Sequence, residues 1–206
     1  MQSYLQPLRL MIFVDFWNYT LNMRELYPTF QTNWFNFPLV LAKEAELVTI
    51  PLSGSYLQYH GIFIAGSYDQ LTQVSLNNWA QNTLTKVSGA NVDFKPRKKM
   101  ITGPCCTGPM HHEIDVCPQC GASMKGTKEK GVDSQIITEM LRRAWEKTYD
   151  VGMIVSEDGD FVPAIQYLSG KGFRFLHARF PGVSHELRKH CWGEIDIPNV
   201  CSNFKR

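Results

Sequence analysis

Four aspartates stand where strands are expected to end or helices to begin. Asp15 closes an early apolar run, Asp133 opens a strongly periodic helix, and Asp158 and Asp160 follow a second apolar run. In an open α/β sheet the carboxyl ends of parallel strands face a common crevice, so aspartates that are distant in sequence can converge there. Unpaired carboxylates brought that close repel one another, and their burial is costly. A hard divalent cation such as Mg²⁺ or Mn²⁺ relieves both problems because it prefers oxygen ligands.

This set of donors suits hydrolysis of a phosphodiester bond. The reaction needs a water nucleophile that is made more acidic and a phosphate whose charge is neutralised, and a divalent cation supplies both. Gly159 allows the backbone between Asp158 and Asp160 to bend tightly. The alternative is purely structural, since Asp133 and Asp160 are also well placed to be helix N-caps, a role that needs no metal.

Alternating strands and helices are predicted to position these residues. Strands are predicted at residues 9–15, 56–65, 91–95, 151–155 and 173–177, with a turn at 66–69. Helices are predicted at about 15–26, 34–46, 70–87, 133–148, 160–170 and 185–190, and the tail from 194 onward has no clear pattern. Such alternation indicates a mostly parallel sheet with helices on both faces.

Residues 96–130 form a different kind of segment, rich in Gly, Pro, Cys, Lys and His and without a helical or strand period. A structureless loop of that length is unusual inside a compact domain, so we expect something to order it. The sequence Cys117-Pro-Gln-Cys120-Gly resembles a knuckle that aims two sulfurs at one tetrahedral Zn²⁺. The preferred ligand set is Cys105, Cys106, Cys117 and Cys120, with His111 and His112 as alternative ligands. Free thiols or a redox pair are the competing interpretations.

Basic residues flank this segment on both sides. Those chosen as candidate nucleic-acid contacts are Arg97, Lys98, Lys99, Lys125, Lys128 and Lys130. If bound zinc draws the ends of the segment together, the two basic runs become neighbours beside Asp133, where they could contact phosphates. The alternative is a solvated loop face.

Composition limits the class of protein. The chain has 206 residues and a formal net charge of only +2, so any basic surface must be local. No apolar run approaches the roughly 20 residues that span a bilayer, and no secretory signal is visible, so we expect a cytoplasmic protein without a membrane partner. Four of the six cysteines cluster together, which in a reducing compartment indicates metal rather than disulfides. A homo-oligomer is possible.

Three segments together resemble the signature segments of the NYN-domain family, in the LabA-like branch of the PIN-like ribonuclease superfamily. They are Phe13–Asn18, Lys130–Asp133 and Val155–Pro163. They occur in the order found in the family, and the resemblance covers about residues 9–190. It implies a single domain over residues 1–206 with a Rossmann-like three-layer α/β/α fold, and a small zinc-binding insert at residues 96–130.

The resemblance also implies an activity, namely cleavage of single-stranded or structured RNA by an endoribonuclease that uses Mg²⁺ or Mn²⁺. The metal-binding acids of the family match Asp15, Asp133, Asp158 and Asp160. Asn18 matches an asparagine near the first acid, and Ser156 matches a small polar residue at a strand end.

One departure from the family pattern is Glu157, where glycine is common, and its carboxylate is expected either to point to solvent or to alter the metal's surroundings. It leaves open a non-catalytic RNA-binding or assembly module that retains the fold. A phosphatase of the haloacid-dehalogenase type is disfavoured, because Trp17 stands where that family needs a second aspartate.

Overall fold

The computed structural model describes residues 7–101, 116, 120–121, 125–182 and 186–206. Its strands are β1 (Leu8–Asp15), β2 (Leu57–Tyr68), β3 (Ala90–Pro96), β4 (Lys98–Ile101), β5 (Lys125–Lys128), β6 (Val151–Val155), β7 (Arg174–Arg179) and β8 (Gly193–Asp196). Its helices are α1 (Phe16–Leu26), α2 (Phe37–Ser53), α3 (Val74–Thr83), α4 (Val132–Trp145), α5 (Val162–Ser169), α6 (Glu186–His190) and α7 (Ile197–Val200). Short 3-10 turns lie at Leu84–Lys86, Gly159–Phe161 and Cys201–Phe204.

Six of these strands form one central sheet in the order β3-β2-β1-β6-β7-β8. Every neighbouring pair is parallel. The strand β1 is buried on both sides, with Leu10, Ile12 and Val14 facing one hydrophobic core and Met11 and Phe13 facing the other. This explains its continuous apolar sequence, because a strand covered on both faces needs no polar alternation.

Helices cover both faces of the sheet. The core on one face receives residues from α1, α2, α3 and α7, and the core on the other receives residues from α4, α5 and α6. The predicted three-layer α/β architecture is therefore confirmed. Among the described residues, no helix combines the length and the apolar character needed to cross a bilayer.

The strand order reverses between β1 and β6, which lie side by side at the centre of the sheet. Val14 of β1 pairs with Val155 of β6, so the two strands end at the same level. In sheets of this kind the crevice beyond the carboxyl ends at such a reversal is the usual position of a ligand site. Asp15 and the segment that follows Val155 both emerge there.

Two of the predicted element boundaries are wrong. The predicted turn at residues 66–69 is instead largely strand, where Gly66 pairs with Phe94 of β3, and glycine suits this position because a Cβ would lie 3.0 Å from the Phe94 ring. The helix predicted from residue 34 begins at Phe37, with Pro38 in its first turn, where proline is tolerated. It continues to Ser53.

The unpatterned segment begins and ends in an antiparallel pair of strands. Lys98 of β4 lies opposite Lys128 of β5, and Ile101 lies opposite Lys125. The two ends of the segment are therefore adjacent in the backbone, and β5 leads directly to α4. The tail that had no clear pattern supplies β8, an edge strand of the main sheet, and then α7.

Candidate active site

Asp15 lies at the junction of β1 and α1 and serves as the helix N-cap. Its Oδ1 accepts hydrogen bonds from the backbone N–H groups of Trp17 (3.1 Å) and Asn18 (3.0 Å). Both bonds end on one oxygen, so capping engages only half of the carboxylate. Burial, together with the charges of Glu129 and Asp133, raises the pKa of Asp15 to about 7, although the bonds to Trp17 and Asn18 oppose the shift.

The segment after β6 is a tight polar turn. The Oδ1 atom of Asp158 accepts from the backbone N–H of Asp160 at 2.9 Å, and the backbone N–H of Asp158 donates to Ser156 Oγ at 3.2 Å. Asp158 is thereby the N-cap of the 3-10 turn that leads into α5. These bonds fix the direction in which the turn presents its two carboxylates.

The alternative, purely structural interpretation of two aspartates is wrong. It made Asp133 and Asp160 helix N-caps, but the N-cap of α4 is Gly131 and that of α5 is Phe161. Gly131 adopts φ +83°, which favours glycine, and this turn places Asp133 in the first turn of α4. Capping is instead performed by Asp15 and Asp158, so the other two carboxylates are not needed for it.

Three of the predicted acids converge. Asp133, Asp158 and Asp160 each offer a carboxylate oxygen, and these oxygens all lie within 4.8 Å of one another. Burial and the charges of Asp158, Glu129 and Asp160 raise the pKa of Asp133. Oxygens on one Mg²⁺ are at most about 4.2 Å apart, twice the metal–oxygen distance, so a small inward movement would suffice for them to share an ion.

Among the described residues, the group consists of Asp133, Asp158 and Asp160, and Asp15 lies beside it. The pKa of Asp15 is raised in part by the charge of Asp133, so the two carboxylates lie close enough to interact. The structure thus brings Asp133, Asp158 and Asp160 together and places Asp15 on the β1 side of them.

A further carboxylate, Glu129, was missed in the sequence. Its charge raises the pKa of both Asp15 and Asp133, and its Oε2 accepts a short hydrogen bond from the hydroxyl of Ser67, near the end of β2. Glu129 stands two residues before Gly131 in a stretch without secondary-structure periodicity. Its only signal in the sequence was proximity to the Gly-Val-Asp segment.

Arg97 is anchored at the edge of the acidic crevice. Its Nε donates to Ser67 Oγ at 3.0 Å, and its guanidinium lies 5.0 Å from the centre of the Trp17 ring. The indole N–H of Trp17 in turn donates to the carbonyl of Ser67 at 2.6 Å. The Ser67 hydroxyl therefore joins a cation, Arg97, to an acid of the site, Glu129.

Asn18 and Ser156 lie behind the carboxylates. Asn18 Oδ1 accepts from the backbone N–H of Glu157 at 3.0 Å and so ties α1 to the turn after β6. Ser156 is fully buried, and its carbonyl accepts from His177 Nε2 at 2.9 Å. Both residues hold the turn that carries Asp158.

Glu157 points neither to solvent nor into the group of three aspartates. It is buried, and its Oε1 accepts from the backbone N–H of Phe180 at 2.5 Å and lies 3.6 Å from His177 Nε2. Burial raises its pKa to about 7 and lowers that of His177. Glu157, the departure from the family pattern, therefore forms a titratable pair with His177 of β7 beneath the site.

The remaining predicted site residues are only partly described. Lys98 and Lys130 are exposed. Of Lys99, Lys125 and Lys128 only the backbone is described, and the pairing of β4 with β5 makes the two basic runs neighbours. Cys120 is exposed, whereas Cys105, Cys106, Cys117, His111 and His112 lie outside the described residues. The zinc site stays a prediction.

Comparison with known proteins gives a family and a fold. The family model of the NYN domain matches residues 9–198, nearly the whole chain. A crystal structure of a protein of unknown function from Vibrio parahaemolyticus is similar, with a TM-score of 0.57 and 16% sequence identity over 100% of both chains. At that identity the likeness concerns the fold alone. No curated protein gave a significant match.

Proposed function

Since this chain belongs to the NYN domain family, whose fold is that of the PIN-like nucleases, we propose that it is a divalent-metal-dependent endoribonuclease. The observation that carries the proposal is the convergence of Asp133, Asp158 and Asp160, with oxygens within 4.8 Å of one another. Burial and the neighbouring carboxylates raise the pKa of Asp133, which shows the cost of placing these groups together without a cation. Mg²⁺ or Mn²⁺ matches their oxygen donors.

The proposed division of labour follows the contacts of each residue. Asp133, Asp158 and Asp160 hold the cation, and Asp15, with Glu129 beside it, completes the ligand set from the β1 side. When bound, the ion makes a water more acidic and neutralises charge on the phosphate. The family resemblance places Asn18 and Ser156 among the catalytic residues, but we assign them as positioning residues, because each hydrogen-bonds the backbone of the turn that carries Asp158.

We propose RNA, single-stranded or structured, as the substrate. Arg97 lies beside the acidic crevice, and Lys98 and Lys130 are exposed at the adjoining ends of the insert, where they can meet phosphates. The LabA-like branch, the cytoplasmic location, a homo-oligomeric state and zinc binding by Cys105, Cys106, Cys117 and Cys120 belong to the same proposal.

Incubation of end-labelled RNA with the protein and Mn²⁺ or Mg²⁺ tests the activity. We expect internal cleavage that EDTA abolishes and that Asp158→Asn lowers by about 100-fold or more, since this variant removes a ligand charge. Glu25→Gln, which removes one exposed carboxylate at the far end of α1, is the matched control and should cleave normally. Cleavage that survives both EDTA and Asp158→Asn would contradict the proposal.

The second interpretation is an RNA-binding module without catalysis. Glu157 was the sequence feature in its favour, but its carboxylate is engaged with Phe180 and is not a member of the aspartate group found among the described residues. RNA binding by the wild type, without cleavage in either metal, would favour this interpretation.

A further inference from the structure

A groove between α4 and α5 ends at a tryptophan that is almost fully exposed. The side chain of Trp145 is 89% exposed, and that of Tyr167, on the facing helix, is 59% exposed. The groove has a volume of about 1070 Å³, and Leu141, Leu168 and Phe173 are among its lining residues. A large exposed apolar surface of this kind usually marks an interaction site.

The groove runs along the two helices that follow the acidic site. Ile137 lines it one helical turn beyond Asp133 on α4, and Pro163 lines it three residues after Asp160 at the start of α5. At 1.5 Å per residue, Trp145 lies about 18 Å along α4 from Asp133. The surface between the two helices therefore leads away from the aspartates and ends at the exposed indole.

Cations line the far end of this groove. Lys147 and Lys171 are exposed, and the Lys171 ammonium lies 5.5 Å from the centre of the Tyr167 ring. Arg142 also lines the groove, but its charge is balanced by ion pairs with Glu139 and Glu146. The two lysines thus give the groove a positive charge next to its two exposed aromatic rings.

We propose that this groove binds single-stranded RNA that extends from the acidic site, with one base stacked on Trp145, another near Tyr167, and phosphates beside Lys147 and Lys171. Exposed aromatic rings flanked by cations are the usual means of holding a single strand without reading its sequence. A polyanion is favoured over an apolar protein segment because the groove begins within one helical turn of Asp133 along α4 and is positive at its far end. The inference rests on the proposed function in its choice of RNA as the molecule that the acidic site binds.

Fluorescence anisotropy with a labelled 12-nucleotide uridine RNA tests this path. The Asp158→Asn background with Mg²⁺ prevents cleavage during the measurement. We expect Trp145→Ala to weaken binding by about five-fold or more, which is the lower end of the effect of losing one base–aromatic stack. Trp145→Phe should recover part of the affinity. Tyr56→Ala, which removes an aromatic side chain that is 66% exposed outside the groove, is the control and should bind normally.

Cleavage assays separate this inference from the proposed function. If the wild type cleaves RNA, Trp145→Ala should slow cleavage of the 12-nucleotide RNA at subsaturating concentration but leave cleavage of a trinucleotide unchanged. Equal RNA affinity of Trp145→Ala and Tyr56→Ala would overturn the groove assignment, whether or not the wild type cleaves. So would light scattering that reveals a dimer which Trp145→Ala dissociates while RNA affinity stays constant. Trp145-dependent RNA binding without cleavage would support the groove and contradict the nuclease proposal.

Discussion

At the scale of single residues, the acidic site is a set of charges that repel one another. Asp133 feels the charges of Asp158, Glu129 and Asp160, and burial adds to the cost of its ionisation. Asp15 is buried to a greater extent and feels Glu129 and Asp133. The raised pKa of Asp15 favours its protonated form below about pH 7 in the metal-free protein, and a cation that binds beside it must displace that proton.

Cation affinity should consequently depend on pH. Because the pKa of Asp15 is about 7, it holds a proton below that pH in the metal-free protein. We expect Mn²⁺ affinity to rise about ten-fold per pH unit between about pH 5 and pH 7 and to level off above about pH 8. Isothermal titration calorimetry in buffers of different ionisation enthalpy measures the affinity and the proton release. Asp15→Asn should reduce both the slope and the release, whereas a pH-independent affinity in the wild type would argue against metal binding at Asp15.

Glu157 should make the metal-free protein less stable at alkaline pH. Its pKa is raised from 4.5 to about 7, so the folded state binds more protons than the unfolded state in that interval, and the free energy of unfolding falls as pH rises through it. The lowered pKa of His177 makes the free energy of unfolding rise with pH instead. His177 is present in both the wild type and the Glu157→Gln variant, so its contribution is common to the two. We expect Glu157→Gln to raise the free energy of unfolding by about 2–3 kcal/mol more at pH 8 than at pH 5, since the pKa rises from 4.5 to about 7 and one pKa unit corresponds to about 1.4 kcal/mol.

Urea unfolding at the two pH values measures this difference. The amide oxygen of glutamine can still accept from the Phe180 N–H, so the variant removes the charge while keeping the acceptor. An equal loss of stability at pH 5 and pH 8 would mean that packing, not charge, decides the effect.

At the scale of elements, the sequence predicted best where an apolar run ends in a polar residue. The apolar runs 10–14 in β1 and 151–155 in β6 are continuous, so the positions of Asp15 and Asp158 at or just beyond the strand ends followed directly. Glu129 could not be found in this way, because it lies between β5 and α4, where no period identifies an element. Its place beside Asp15 depends on Ser67, at the end of a strand distant in sequence.

The capping roles show a second limit of local patterns. An aspartate before a helix is a good N-cap by residue type, and Asp133 and Asp160 satisfied that rule. In the structure α4 begins at Val132, directly after Gly131 with its positive φ. The 3-10 turn at Gly159–Phe161 has Asp158 as its N-cap. A shift of the N-cap position by two residues decides which carboxylate is hydrogen-bonded to the backbone and which can reach a cation.

The insert should contain zinc. The pairing of β4 with β5 brings the ends of the insert together. A bound metal would stabilise the segment between these strands, whose sequence has no helical or strand period. We expect the purified protein to carry about one equivalent of zinc by elemental analysis, and Cys117→Ser or Cys120→Ser to lower that content strongly. Cys201→Ser, at a buried thiol in the main core, is the control and should retain zinc. Wild-type protein free of zinc after metal-replete purification would refute the assignment.

At the scale of the whole molecule, alternation of strands and helices was enough to predict a parallel sheet covered on both faces. It could not give the strand order, because that depends on which edge of the sheet each crossover joins. The order β3-β2-β1-β6-β7-β8 is what places β1 beside β6. Convergence of the aspartates is therefore a property of the topology. The rule for parallel strands showed that it could occur, and the family resemblance added which aspartates to expect there.

The salt dependence of RNA binding should be set by charges near the acidic site rather than by the net charge of the protein. The formal net charge is only +2, so long-range attraction is weak, and the exposed Lys98 and Lys130 lie at the ends of the insert near Glu129. If each contacts a phosphate, the double variant Lys98→Gln/Lys130→Gln should reduce the slope of log affinity against log salt by about 1.4, since each contact to a single strand contributes about 0.7.

A matched pair of lysines separates local contacts from net charge. The double variant Lys43→Gln/Lys205→Gln removes two exposed charges on α2 and near the C-terminus, and it too lowers the formal net charge to zero. RNA affinities measured by anisotropy over a range of KCl concentrations should give this control the wild-type slope, because its lysines meet no phosphate. If both double variants reduced the slope equally, the attraction would arise from the whole molecule, and the phosphate contacts assigned to the ends of the insert would be wrong.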